Sequence, residues 1–180
     1  MPQSTSGKYL NFLALLLVVT PMLLSDLLAA EKLSSKDNSY LKDMAGLNLL
    51  QVEASELAAV KSSNDKVKAF ARQLIKERHE LTQQLKAFAD KKQTNLPDEP
   101  SLIQKARYRV LSAKDGAEFD QAYAKTMGVK VQQDTVHLFS KAASRAEDPD
   151  LKRFALQHLP ALENHLQQAR ELRDHFAATK

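Results

Sequence analysis

Apolar residues recur at spacings of three and four over most of residues 39–178, and this constrains the chain more than any other feature. That period places one side chain per turn on a single helical face, so it predicts amphipathic helices rather than strands. The punctuation agrees. The chain of 180 residues has only four Gly and six Pro, so few positions break a helix. At this length one domain is expected, with a core that needs no covalent staples. The absence of Cys excludes a disulfide scaffold, a Cys-based zinc site and a thiol nucleophile.

The stripes give the elements. Helix one covers about 39–62, with Tyr40, Met44, Leu47, Leu50, Ala54 and Leu57 inward. Ser62-Ser63-Asn64 makes a turn with capping residues. Helix two covers about 65–92, with Val67, Ala71, Leu74, Leu81, Leu85 and Phe88 inward. A loop follows over 93–100, then a short helix over 101–112. Asp115 with Glu118 resembles a capping box opening helix four, about 116–146, with Phe119, Ala122, Val129, Val136, Phe139 and Ala143 inward. Asp148-Pro149 opens helix five, about 149–178, with Leu151, Ala155, Leu162, Ala169, Leu172 and Phe176 inward. Pro160 lies inside it and should kink it. Four long helices with short turns inside each pair predict an all-α antiparallel four-helix bundle over 39–178, with an extra short helix in the 93–115 crossover.

The N-terminus is read separately. Lys8 precedes an apolar run from Leu10 to Leu24, and Ser25-Asp26-Leu27-Leu28-Ala29-Ala30 follows. A cationic start, a short apolar core and small residues before a polar chain form the pattern of a secretory signal peptide, here residues 1–30, with cleavage near Ala30. The run is too short and interrupted for a membrane span. Residues 31–38 are expected to form a flexible leader. Losing residues 1–30 removes one cation, Lys8, and one anion, Asp26, so the net charge of +4 is unchanged. No basic cluster joins stacking aromatics, which argues against nucleic acid as a partner.

Polar residues interrupt every long stripe. Glu53 lies between Leu50 and Leu57, Arg78 between Leu74 and Leu81, and Gln132 between Val129 and Val136. His158 and His165 flank Leu162. Buried charges are costly alone, so these five side chains should meet one another, a metal or water. A di-iron bundle needs Glu-x-x-His on two helices, and the chain has none. Glu53, His158 and His165 remain as candidate ligands for one zinc or iron ion. A Gly-rich phosphate loop and a Gly-x-Ser-x-Gly elbow are both missing. Lys-Glu-Arg-His-Glu at 76–80 reads as a solvated helix face, and His137 as exposed.

Gln51-Val52-Glu53-Ala54-Ser55-Glu56-Leu57-Ala58, Val67-Lys68-Ala69-Phe70-Ala71 and Leu85-Lys86-Ala87-Phe88-Ala89 before Leu96-Pro97 form an ordered set. Phe119-Asp120-Gln121-Ala122-Tyr123, Asp148-Pro149-Asp150-Leu151-Lys152, and Leu159-Pro160 before His165-Leu166 extend it. The set resembles the bacterial domain of unknown function 4142, a ferritin-like exported family whose members carry outer-membrane or periplasmic labels. The resemblance covers about 36–174. It implies a signal peptide, a ferritin-like bundle and no established enzymatic activity. It also implies an inward Glu on the first helix, matched by Glu53, and His on the second, third and last long helices. Here His165 keeps the last, while Arg78 and Gln132 stand at the other two, with His79 displaced by one residue. From this follows the expectation that Arg78 pairs with Glu53, across an offset of about 5 Å.

The resulting reading is an exported, periplasmic protein that is non-catalytic and acts by binding an envelope partner or by self-association, without a cofactor. The rival is a metal-dependent oxidase or iron-handling protein using Glu53, His158 and His165. A third reading, a helical adaptor for a partner or membrane surface, requires an apolar patch outside the core stripes. Leu49, Val52 and Val60 are its candidates on helix one.

Overall fold

The computed structural model describes residues 32–178, which form helices, the turns between them and a three-residue lead-in before the first helix. The expected signal peptide lies outside the described residues. The elements are α1 (Ser35–Lys61), α2 (Asp65–Lys91), α3 (Leu102–Ser112), α4 (Gly116–Ala122), a π-helical stretch (Tyr123–Lys130), α5 (Val131–Arg145) and α6 (Pro149–Ala178). α4, the π stretch and α5 form one continuous rod.

The starts follow local chemistry. Asn64 accepts from the backbone N–H groups of Lys66 and Val67, satisfying two orphan donors of α2. Ser101 and Gln104 form a reciprocal capping box on α3. Two expectations are corrected. The leader over 31–38 is helical from Ser35, because Ser34 caps α1 and the Asp37 carboxylate is pulled inward by backbone donors before α6. Asp115 makes no capping bond; its carboxylate meets Lys61 at 3.0 Å, and Glu118 pairs with Lys114 instead. α6 continues through Pro160. The carbonyl that Pro160 cannot serve belongs to Leu156, and both residues are exposed, so water can take that bond.

Cross-helix bonds fix the directions. Ser55 meets Tyr123, Gln51 meets Met127 and Asp37 meets Glu147, so α1 runs antiparallel to the α4–α5 rod. Lys66 meets His175, Glu77 meets His165 and Lys91 meets Asp150, so α2 runs antiparallel to α6. α1 and α6 therefore point one way, and α2 and the α4–α5 rod the other. The crossover carries α3 along the outside of α1, where Gln104 lies over Gly46 and Lys61 bonds to the Ser112 carbonyl.

The π stretch alters the stripe of its rod. Phe119, Tyr123, Met127, Val131, Thr135 and Phe139 are buried at a constant spacing of four. Four residues overshoot a 3.6-residue turn by about 40°, so five such steps would carry a regular helix half-way round. The wider π turn removes that drift. For the same reason Ala122, Val136 and Ala143, expected inward, are only half-buried.

The core is in two parts. One cluster holds Leu50, Phe70, Leu74, Phe119, Tyr123, Met127 and Leu172, among others. The second holds Leu41, Met44, Leu81, Leu85, Phe139, Leu151 and Leu162. On every rod a polar residue separates them: Asn48 and Gln51 on α1, Arg78 on α2, Gln132 and Thr135 on α5, and His165 on α6.

Candidate functional site

Arg78 is the centre of this polar layer and the largest fully buried side chain of the described residues. Its Nη2 donates to Gln132 Oε1 at 2.6 Å, across the bundle from α2 to α5. Burial lowers its pKa to about 10, with the neighbouring Glu77 opposing, so it stays cationic at neutral pH. Asn48 lies beneath it, donating to the Arg78 carbonyl at 3.0 Å and to Thr82 Oγ1 at 2.7 Å. Gln51 donates to the Met127 carbonyl at 2.6 Å and so ties α1 to the π stretch. Ser55 and Tyr123 hydroxyls meet at 3.0 Å one tier further along.

His165 completes the layer from α6. Its Nε2 donates to Glu77 Oε2. Its pKa is lowered by burial and then by Arg78, against the pull of Glu77. With Nε2 turned to Glu77, His165 Nδ1 has no hydrogen-bond partner. His158, two turns earlier, is half-buried against Phe154 at 4.6 Å between ring centres. Burial and then Arg78 lower its pKa as well. Both imidazoles, Arg78, Glu77, Glu80 and Gln84 line a cleft of about 210 Å³ between α2 and α6.

Of the five expected residues, Arg78 and Gln132 bond to each other, and Arg78, His158 and His165 line one cleft. Glu53 does not join them, and the expected Arg78–Glu53 pair does not form. Gln132 takes the guanidinium instead. α1 buries the arc of Gln51 and Ser55, which turns the half-buried Glu53 toward the crossover. There burial raises its pKa, Lys105 lowers it, and Glu56 and Glu99 raise it. Glu77, read as part of a solvated face, instead reaches His165. Asn48, Gln51 and Ser55 were missed, although Leu41, Ala45, Asn48, Ser55 and Ala58 form a second series at helical spacing.

Among the described residues no three His, Asp or Glu side chains gather in a way that could hold a metal ion. The central group is a cation without a fully buried carboxylate beside it, and it would repel a divalent ion at close range. A family model matches residues 24–172. The chain belongs to the DUF4142 family, a domain of unknown function. No curated protein sequence matches it. The fold of this DUF4142 member is similar to a DUF305 fragment from Deinococcus radiodurans, at TM-score 0.70 and 12% identity, covering 80% of this chain and 99% of that one. It is also similar to CopM in its Cu(II)-bound and Cu(I)-bound forms, at TM-scores of 0.61 and 0.63 and identities of 13% and 14%. Each match covers 78% of this chain, and 96–97% of CopM. At such identities the likeness speaks for the fold alone. No helix among the described residues is long and apolar enough to cross a membrane.

Proposed function

We propose that this DUF4142 member is an exported, periplasmic helical-bundle protein that works by binding and carries no catalytic centre or metal of its own. The observation that carries the reading is the buried Arg78–Gln132 pair at mid-bundle. It puts a fixed positive charge where inward ligands from four helices would otherwise converge. The ferritin-like assignment belongs to the same proposal, supported by two parallel middle rods joined through one long crossover. Export rests on the charge and apolar pattern of residues 1–30. Envelope association, including the outer membrane, rests on the family resemblance.

A second reading keeps metal binding, with iron, zinc or copper held at the cleft rather than in the layer. Two observations favour it: His158 Nε2 and His165 Nδ1 are without hydrogen-bond partners, and copper-bound CopM shares the fold. Glu53 faces Lys105 and Glu99 at the crossover and does not line the cleft. Metal content of the untagged protein, before and after Fe(II), Zn(II) and Cu(II) loading, separates the two. The binding-only reading expects no stoichiometric metal. One ion per chain that disappears in His165→Ala would overturn it.

A further inference from the structure

The crossover helix α3 is amphipathic toward solvent. At about 100° per residue, Leu102, Ala113, Ala106, Val110 and Ile103 fall within one arc of roughly 100°. All five are exposed, Leu102 by 84%, Ile103 by 71% and Val110 by 66%. The opposite face carries Leu111, Gln104 and Tyr108, and Leu111 is buried in the core. Cations stand at both rims of the outer arc, Lys105 and Arg109 on one side and Arg107 on the other, and Ser112 lies nearer the inner face. The helix holds no acidic residue. Val60, at 86% exposure, stands beside Lys61, whose ammonium bonds to the Ser112 carbonyl at the end of α3. The apolar patch is thus on the crossover, whereas Leu49 and Val52 on α1 are half-buried.

We propose that the outer face of α3 is a docking surface for an anionic phospholipid bilayer. An apolar arc bordered by Lys and Arg is the arrangement that lies in a membrane interface, with aliphatic groups below the headgroups and cations among them. An exposed stripe of this kind on a water-facing helix has no internal role to explain it. Charge complementarity decides the occupant. A second copy pairing through the same arc would bring Lys105, Arg107 and Arg109 against their own kind, whereas anionic headgroups would neutralise them. Lys105 and Arg107 also reach Glu99 and Asp134, at 2.6 and 3.1 Å, so the exposed Arg109 carries the strongest claim on the lipid.

The chain has no Trp, so one placed on α3 is a unique reporter. The full chain carrying Ile103→Trp is mixed with vesicles of phosphatidylglycerol and phosphatidylcholine, or of phosphatidylcholine alone. The expected result is a blue shift of emission with the anionic vesicles only, reversed by salt. Adding Arg109→Gln weakens the binding on the order of fivefold. Vesicle binding without any shift would overturn the proposal, since another segment would then touch the lipid. So would an equal shift on neutral vesicles. A shift without vesicles that grows with protein concentration would assign the face to a second copy instead. The substituted residue is solvent-exposed, and circular dichroism verifies that the helices are retained.

Discussion

Two groups of polar side chains are buried in this bundle, and the contrast between them separates polar residues that hold the fold from polar residues that loosen it. At the end where α2 stops and α6 begins, Asp37 accepts from the N–H groups of Glu147 and Asp148 at 2.8 and 2.7 Å. Asp148 accepts from the Leu151 N–H at 2.8 Å and from the Lys92 ammonium at 2.5 Å. Burial would lower the pKa of Lys92, but its bonds to Asp148 and Asp150 outweigh that and raise it. The charges there are opposite in sign and complete helix ends. In the middle layer a guanidinium meets a neutral amide, and Arg78 Nε, Gln132 Nε2, Asn48 Oδ1, Gln51 Oε1 and His165 Nδ1 have no partners. Leaving such groups unpaired costs about 1–3 kcal/mol each. A buried ion pair that caps helices can stabilise, while a buried cation bonded to a neutral amide is retained at a cost.

The largest effect expected from this contrast is at the end cluster. Asp148→Ala removes the α6 cap and one of the two carboxylates that hold Lys92, leaving Asp150 at 3.0 Å, and should destabilise by about 2–4 kcal/mol in urea denaturation. A loss under about 1 kcal/mol would mean that the pair contributes little and the contrast is false.

The opposite sign is expected in the middle. Replacing both partners with apolar groups, Arg78→Met with Gln132→Leu, should leave stability unchanged or raise it by about 1–4 kcal/mol. The same denaturation measurement decides the matter. A drop as large as that of Asp148→Ala would show that the guanidinium is well satisfied.

A smaller effect separates the two clusters by pH. His158 and His165 have pKa values below the ordinary 6.5, through burial first and Arg78 second. Their stabilising contribution is full above pH 6.5 and declines as pH falls below it, because the unfolded chain binds the protons more readily. Bonds from Lys91 and Lys92 hold the Asp150 carboxyl at about 2, below its ordinary 3.8. Its contribution is present above pH 3.8 and is lost between there and about pH 2. Melting temperature against pH should therefore fall in two stages, and His158→Gln with His165→Gln should shrink the first. A single decline below pH 4 would place the imidazoles at ordinary basicity.

Much of this was legible in the residues. The spacing of three and four located five helices, Asn64 and Pro149 marked two starts, and Arg78, Gln132 and His165 stood out as polar interruptions. Glu53 passed the same periodicity test and fell outside the layer. Periodicity fixes which residues share a face but not which part of that face meets a neighbour. α1 packs against α2, the α4–α5 rod and α3 together, so its buried arc is wider than one stripe and takes in Asn48, Gln51 and Ser55. Lys92 and Asp148 lie 56 residues apart in sequence, and no local pattern joins them.

What the sequence determined is local: where every helix but the first begins, its amphipathic period, and which chemistries are closed to a chain without Cys. Those depend on interactions within a turn or two, which a single chain segment contains. Only the tertiary structure decided the partners: Gln132 for Arg78, Glu77 for His165, Asp148 for Lys92, and solvent for the apolar face of α3. Partner choice depends on the rotation and axial offset of each rod against three others. Here a π stretch in one of them shifts the register in a way that a 3.6-residue period does not encode.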